Sequence, residues 1–180
     1  MAENIVIVGA KRTPIGSMQG KFNTVTASQL GAVAIKAAIE QAGVKPTEVD
    51  DLIFGNVLGA GQGQAPARQA ALGAGLDKAT PATTINQMCG SGMKAAMMAA
   101  DELSSGQANI VVAGGMESMT NAPHLLPKSR GGFRYGHTQL LDHMAFDGLE
   151  NAYDGKPMGH FADMTAKKYG FTREQMDAYA

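Results

Sequence analysis

Thr83-Thr84-Ile85-Asn86-Gln87-Met88-Cys89-Gly90-Ser91-Gly92-Met93-Lys94-Ala95-Ala96-Met97-Met98-Ala99-Ala100-Asp101-Glu102-Leu103 passes from a β-branched run through a glycine-flanked turn into an alanine- and methionine-rich segment. The pattern predicts a strand over Thr83–Asn86, a tight turn centred on Cys89, and a helix over Met93–Leu103. Apolar residues surround the predicted helix axis and only Lys94 interrupts them before Asp101. A surface helix carries a polar stripe. This one is expected to be buried on nearly all sides, which a two-layer domain does not readily provide.

Working outward, the same alternation continues in both directions. Ile5-Val6-Ile7-Val8 is an uninterrupted apolar run closed by Gly9, the signature of a strand covered on both faces. A helix is predicted over Ala27–Ala42: Thr26 and Gln29 have capping-box spacing, and Gly43 stands at the C-terminal cap. Leu30, Val33, Ala34, Ala37 and Ala38 form its expected apolar face. Leu52–Phe54 is a second strand, a short helix starts at Pro66 and ends near Gly73 or Gly75, and Ile110–Ala113 is a fourth strand. Strands alternating with helices to about residue 114 predict a largely parallel sheet with crossover helices, an α/β class.

After Met116 the character changes. Asn121–Gly159 gathers proline, glycine, histidine and basic residues, with one short periodic stretch, Leu140–Leu149. It reads as an inserted loop region. A helix is expected after Gly159 to Tyr169-Gly170, and Thr172 caps another that the sequence ends on. The expected division is a first domain over 1–118 and the start of an inserted one over 119–180, within a longer protein.

Composition restricts function. The 180 residues are 44% hydrophobic and 17% charged, which argues against disorder. Fifteen Lys and Arg against 16 Asp and Glu give a net charge of −1 and no field for nucleic acid. One cysteine excludes an intrachain disulfide. The apolar runs fall far short of the ~18–20 residues a membrane span needs, and Met1-Ala2-Glu3-Asn4 is not the start of a signal peptide. A cytoplasmic chain with no membrane partner is expected.

Cys89 is the chemical candidate. A strand–turn–helix junction projects its central side chain and aims free helix N–H groups towards it. The positive helix end favours thiolate, and the same N–H groups stabilise an oxyanion formed when sulfur attacks a carbonyl. Gly90 and Gly92 allow a bulky thioester to approach the backbone. Spacing alone leaves a buried, inert cysteine equally open. Gly59, Gly61 and Gly63 do not form a nucleotide loop, because no Gly-Lys-Ser/Thr follows. Gly9-Ala10-Lys11 lacks the second glycine of a dinucleotide fingerprint. His137, Asp142, His143 and Asp147 fit no compact metal spacing, so no metal site is expected. Lys128, Arg130 and Arg134 form a small basic patch.

Asn86–Ala95, Gly114–Pro123, Arg12–Gly16 and Gly55–Gln69 together resemble, in sequence order, segments of the thiolases. The likeness runs from Ile5 to Ala180. It implies a layered αβαβα fold built from two similar halves. This would be the first half, with a mixed sheet and with Met93–Leu103 as one of two central helices. It implies that Cys89 is the nucleophile carrying an acyl thioester. The implied reaction is a reversible Claisen condensation of two acetyl-CoA to acetoacetyl-CoA and CoA, with the coenzyme A thioesters as substrates and no cofactor. The acid/base residues would belong to a second half. Met158 matches a substrate-binding methionine of the pantetheine and acyl pocket. Pro157 stands where short-chain members commonly carry histidine, which implies a different pocket floor. The basic loop would then join dimers into a homotetramer. The alternatives are a long-chain 3-ketoacyl-CoA thiolase and, in another class, a non-catalytic CoA-binding or assembly protein.

Overall fold

The computed structural model describes residues 5–180; the Met1–Asn4 segment read for a signal peptide lies outside them. The elements are α1 (Ala27–Ala42), β1 (Asp51–Gly55), α2 (Pro66–Gly73), β2 (Ala82–Ile85), α3 (Ser91–Ser104) and β3 (Val111–Gly115). They continue with β4 (His124–Leu125), β5 (Leu141–Asp142), α4 (Met158–Tyr169) and α5 (Arg173–Tyr179). Two compact units result, the first ending at Pro123 and the second being His124–Ala180.

In the first unit the strands order as β2-β1-β3, with β1 parallel to both neighbours. Strand geometry sends successive side chains to opposite faces. Leu52 and Phe54 accordingly join α1, α2 and Met116 in one buried cluster, whereas Ile53 packs with Ala95 and Ala99 of α3 in another. Leu52 and Ile53 are 0% and 1% exposed. Full burial of such a side chain stabilises by roughly 1.5–3 kcal/mol. The unit is therefore three-layered around a short parallel sheet. The sheet of this unit is not mixed: among the described residues the antiparallel pairing lies outside it, in the β4–β5 ribbon and in an isolated bridge between Glu150 and Pro157.

Local chemistry explains the helix limits. Thr26 Oγ1 accepts from the Gln29 amide at 3.2 Å, Gln29 Oε1 accepts from the Thr26 amide at 2.9 Å, and Gly43 ends α1 in the left-handed region at φ 68°. The buried stripe of α1, however, is Ala27, Ser28, Gly31, Ala32, Ile35 and Ile39, not the face centred on Val33, which is 63% exposed. Small residues decided this. A β-carbon on Gly31 would lie 2.7 Å from Met116 Sδ, and one on Gly73 would lie 3.1 Å from Ala32 Cβ. The two helices close together through alanine and glycine, which turns the stripe that carries them inward.

Two further expectations are corrected. Ile5–Val8 pairs with no strand among the described residues, and its side chains are 43–88% exposed. The segment leans on α1, where the Ala10 amide donates to Gln41 Oε1 at 3.0 Å, and a cavity of about 590 Å³ separates its surroundings from β3 and α3. An apolar run becomes a buried strand only when both faces are covered, and here one is not. Likewise α3 buries only Ser91, Ala95 and Ala99, while Met93 is 74% and Met97 54% exposed. One face of α3 meets the sheet, and no second layer covers the other.

Asp50 fastens the start of the sheet. Its Oδ2 accepts from the amides of Asn109 at 2.7 Å and Ile110 at 3.0 Å. These bonds, that from Asn109 foremost, hold its carboxyl below the ordinary carboxylate range.

The second unit has the β4–β5 ribbon, a π-helical turn over Ala145–Leu149, and two helices. Pro157 precedes α4, which begins at Met158 itself, two residues earlier than a start after Gly159, and Gly170 caps its end at φ 71°. Thr172 and Gln175 form the second capping box. No helix among the described residues is long and apolar enough to cross a membrane.

Candidate active site

Cys89 is exposed, and its position is fixed by the turn that precedes α3. The Gly90 amide donates to Gln87 O at 3.1 Å and the Ser91 amide to Met88 O at 3.1 Å. Asn86 Oδ1 takes the Met88 amide at 2.9 Å. Ser91 then braces the turn from below: Oγ donates to Met88 O at 2.6 Å and accepts from the Gln87 amide at 2.9 Å. The hydroxyl is buried with the residue, which is 5% exposed. The result holds the cysteine outward at the head of a helix.

The residue bearing the turn's unusual backbone is Met88, at φ 50°, not a glycine. Gly90 is the helix N-cap at φ −84°, without a side-chain cap bond. Sequence reading missed Met88 because glycine and asparagine are the residues that ordinarily signal left-handed backbone. The first intrahelical bond runs from the Lys94 amide to Gly90 O at 2.9 Å. With the Ser91 amide given to Met88, the amides of Gly92 and Met93 have no acceptor within the helix. A β-carbon on Gly92 would meet nothing within 4 Å. Open space therefore lies beside donors suited to a carbonyl oxygen gaining charge.

Behind the turn, two distant segments meet. Glu117 Oε1 accepts from Asn56 Nδ2 at 2.8 Å and from the Leu58 amide at 3.1 Å, and Oε2 accepts from the Val57 amide at 2.9 Å. Asn56 is 4% exposed and also donates to Met116 O at 3.2 Å. The glycines of the 59–63 loop serve turns, with Gly61 at φ 77° and Gly63 at φ 81°.

Met158 lies in the second unit as the first residue of α4, 46% exposed. In the same unit His143 is buried, and its Nδ1 lies 2.6 Å from Asp147 Oδ2. Among the described residues no group of three or more His, Cys, Asp or Glu side chains converges as a metal site would. Lys128, Arg130 and Arg134 are all exposed.

The family model described as thiolase, N-terminal domain, matches residues 5–180. The chain belongs to the thiolase family, in the part that this domain represents. It is 54% identical over 177 residues to an acetyl-CoA acetyltransferase of Cupriavidus necator, and 49% identical over 176 residues to one of Schizosaccharomyces pombe. It is 52% identical over 176 residues to acetyl-CoA acetyltransferase A, mitochondrial, of Xenopus laevis. Each match covers 98% of this chain but only 41–45% of the relative. The chain thus spans less than half the length of the curated relatives it matches.

Proposed function

We propose that these residues are the nucleophile-bearing half of an enzyme that condenses two acetyl-CoA to acetoacetyl-CoA and CoA, and reverses that reaction. The observation that carries the reading is the exposed Cys89 on a braced turn at the head of α3. The thiolate of Cys89 attacks the thioester carbonyl of acetyl-CoA. The carbon–sulfur bond to CoA breaks, CoA leaves as thiolate and takes a proton, and the acetyl group remains on Sγ. A second acetyl-CoA, having given a methyl proton to a base, attacks the acyl carbon and expels the Cys89 thiolate. That base, and the acid that protonates CoA, belong to a second half of the parent protein. The amides of Gly92 and Met93 bind the oxygen on which charge gathers. No resident cofactor or metal is required, because the thioester itself supplies the activated acyl group.

Met158 contacts the pantetheine or acyl portion of the substrate, and the second unit joins dimers into a homotetramer through the basic loop. The enzyme works in the cytoplasm. The names of the relatives favour acetyl transfer over a long-chain 3-ketoacyl-CoA substrate and over a non-catalytic CoA-binding or assembly role. The test is acyl trapping in the parent protein: incubation with acetyl-CoA should add an acetyl mass to the peptide containing Cys89, and Cys89→Ala should abolish condensation and thiolysis. Trapping on another residue of the wild-type enzyme would overturn the assignment.

A further inference from the structure

We infer that Glu117 is a positioning residue for the Cys89 turn, acting through the Asn56–Leu58 turn without touching the nucleophile. The inference deepens the acyl-transfer reading and rests on it. Glu117 carries three donors from a single turn, two of them successive backbone amides, which together form a cradle for an anion. Gln62 closes the turn from its other side, its Nε2 donating to Asn56 Oδ1 at 3.2 Å and Leu58 O at 2.7 Å. This anchored turn begins where β1 ends. The Asn56 amide donates to Ile85 O at 3.0 Å, and Gly55 O accepts from the Met116 amide at 2.9 Å. Gly55, the last residue of β1, is therefore tied to Met116 just past β3, and Asn56, the residue after it, to the end of β2.

Gly55 in turn abuts Ser91, at van der Waals limits that leave no room for a β-carbon. Ser91 is the residue whose hydroxyl holds Met88 O and the Gln87 amide. A shift of Gly55 moves Ser91, and Ser91 sets the carbonyl and amide on either side of the turn that presents Cys89. The carboxylate thus reaches the nucleophile's turn through three non-covalent links: its own bonds to the Asn56–Leu58 turn, the Gly55–Ser91 contact, and the Ser91 hydroxyl bonds. It joins the Gly55–Gln69 and Gly114–Pro123 motifs, which the catalytic reading alone leaves without a role.

The experiment compares Glu117→Ala and Glu117→Gln with wild type in the parent protein, by steady-state acyl transfer and by the rate at which iodoacetamide alkylates Cys89. Misplacement of a reacting group by about 1 Å costs up to roughly a hundredfold in rate. Glu117→Ala should lower kcat by about ten- to a hundredfold, leave KM for acetyl-CoA within about twofold, and change the alkylation rate. Glu117→Gln keeps an acceptor for Asn56 and Leu58 but sets its NH2 against the Val57 amide, so its kcat should fall between the two. Wild-type kcat in folded Glu117→Ala would overturn the inference. So would a loss confined to temperatures near melting with unchanged alkylation, which marks a purely structural role. If Glu117→Ala does not fold, Glu117→Gln decides alone, and wild-type kcat there overturns the inference. Should wild type itself transfer no acyl group, the acyl-transfer reading fails, while the alkylation rates still report on the turn.

Discussion

A β-carbon added to Gly55 would stand 2.5 Å from Cβ of Ser91. The end of the central strand and the first residue of α3 are in such close contact that only glycine fits, and the contact sets how far the helix head projects. Gly55→Ala must displace one of them, since the nearest atoms after Cβ are Ser91 C at 3.1 Å and Gly92 N at 3.4 Å. Overpacking of this kind costs about 1–3 kcal/mol. Chemical denaturation of the parent protein should show that loss, with acyl transfer falling further than the stability change explains. A stable variant with wild-type turnover would refute the contact's importance.

The uncovered face of α3 gives a second expectation. In residues 1–180 alone, Met93→Gln with Met97→Gln should reduce binding of a dye specific for apolar surface and leave helical circular dichroism unchanged. In the parent protein, where the second half is proposed to cover this face, the same pair should instead lower stability by about 2 kcal/mol or more. Reduced dye binding without loss of helix in residues 1–180, together with lost stability in the parent protein, is the diagnostic result.

Asp50 makes stability depend on acidity. Its folded pKa is held below the ordinary carboxylate range, first by the bond from the Asn109 amide, so the unfolded chain binds its proton first as pH falls. The contribution is complete above the unfolded pKa and disappears as pH drops through the lower folded value. Asp50→Asn should therefore melt at a lower temperature than wild type at pH 7, with the gap narrowing below about pH 4. A gap constant from pH 7 to pH 2 would rule out the carboxylate as its source.

Removing Lys128–Thr138, all exposed, should convert the proposed tetramer of the parent protein into dimers by light scattering. Turnover per chain should change by less than about tenfold, because the deletion leaves the Cys89 turn intact. An unchanged tetramer mass would remove this loop from the assembly.

What sequence reading could reach follows from how locally each feature is determined. The limits of α1 and α2 and the cap of α5 were legible because Thr26, Gly43, Pro66 and Thr172 act within one turn of themselves. Cys89 was legible as a candidate from the glycines around it. The facing of α1 was not, because it depends on which stripe can approach α2, and Val33 looked as apolar as Ile35. Ile5–Val8 and α3 share one cause of failure: apolar composition records what a segment needs covered, not whether this chain covers it. The bond between Asn56 and Glu117 spans 61 positions, and no local pattern announces it.

The backbone at Met88 ties the presentation of the Cys89 side chain to folding. A non-glycine residue at φ 50° sits about 1–2 kcal/mol above its relaxed backbone, and only surrounding contacts keep it there. Those contacts come from Asn86, Ser91 and the packed end of β1, so they form together or not at all. An unfolded or nascent chain consequently does not hold Cys89 at the head of α3, and that placement arises as the domain closes. Time-resolved labelling of that one sulfur would then chart maturation of the polypeptide, giving a built-in clock for its folding.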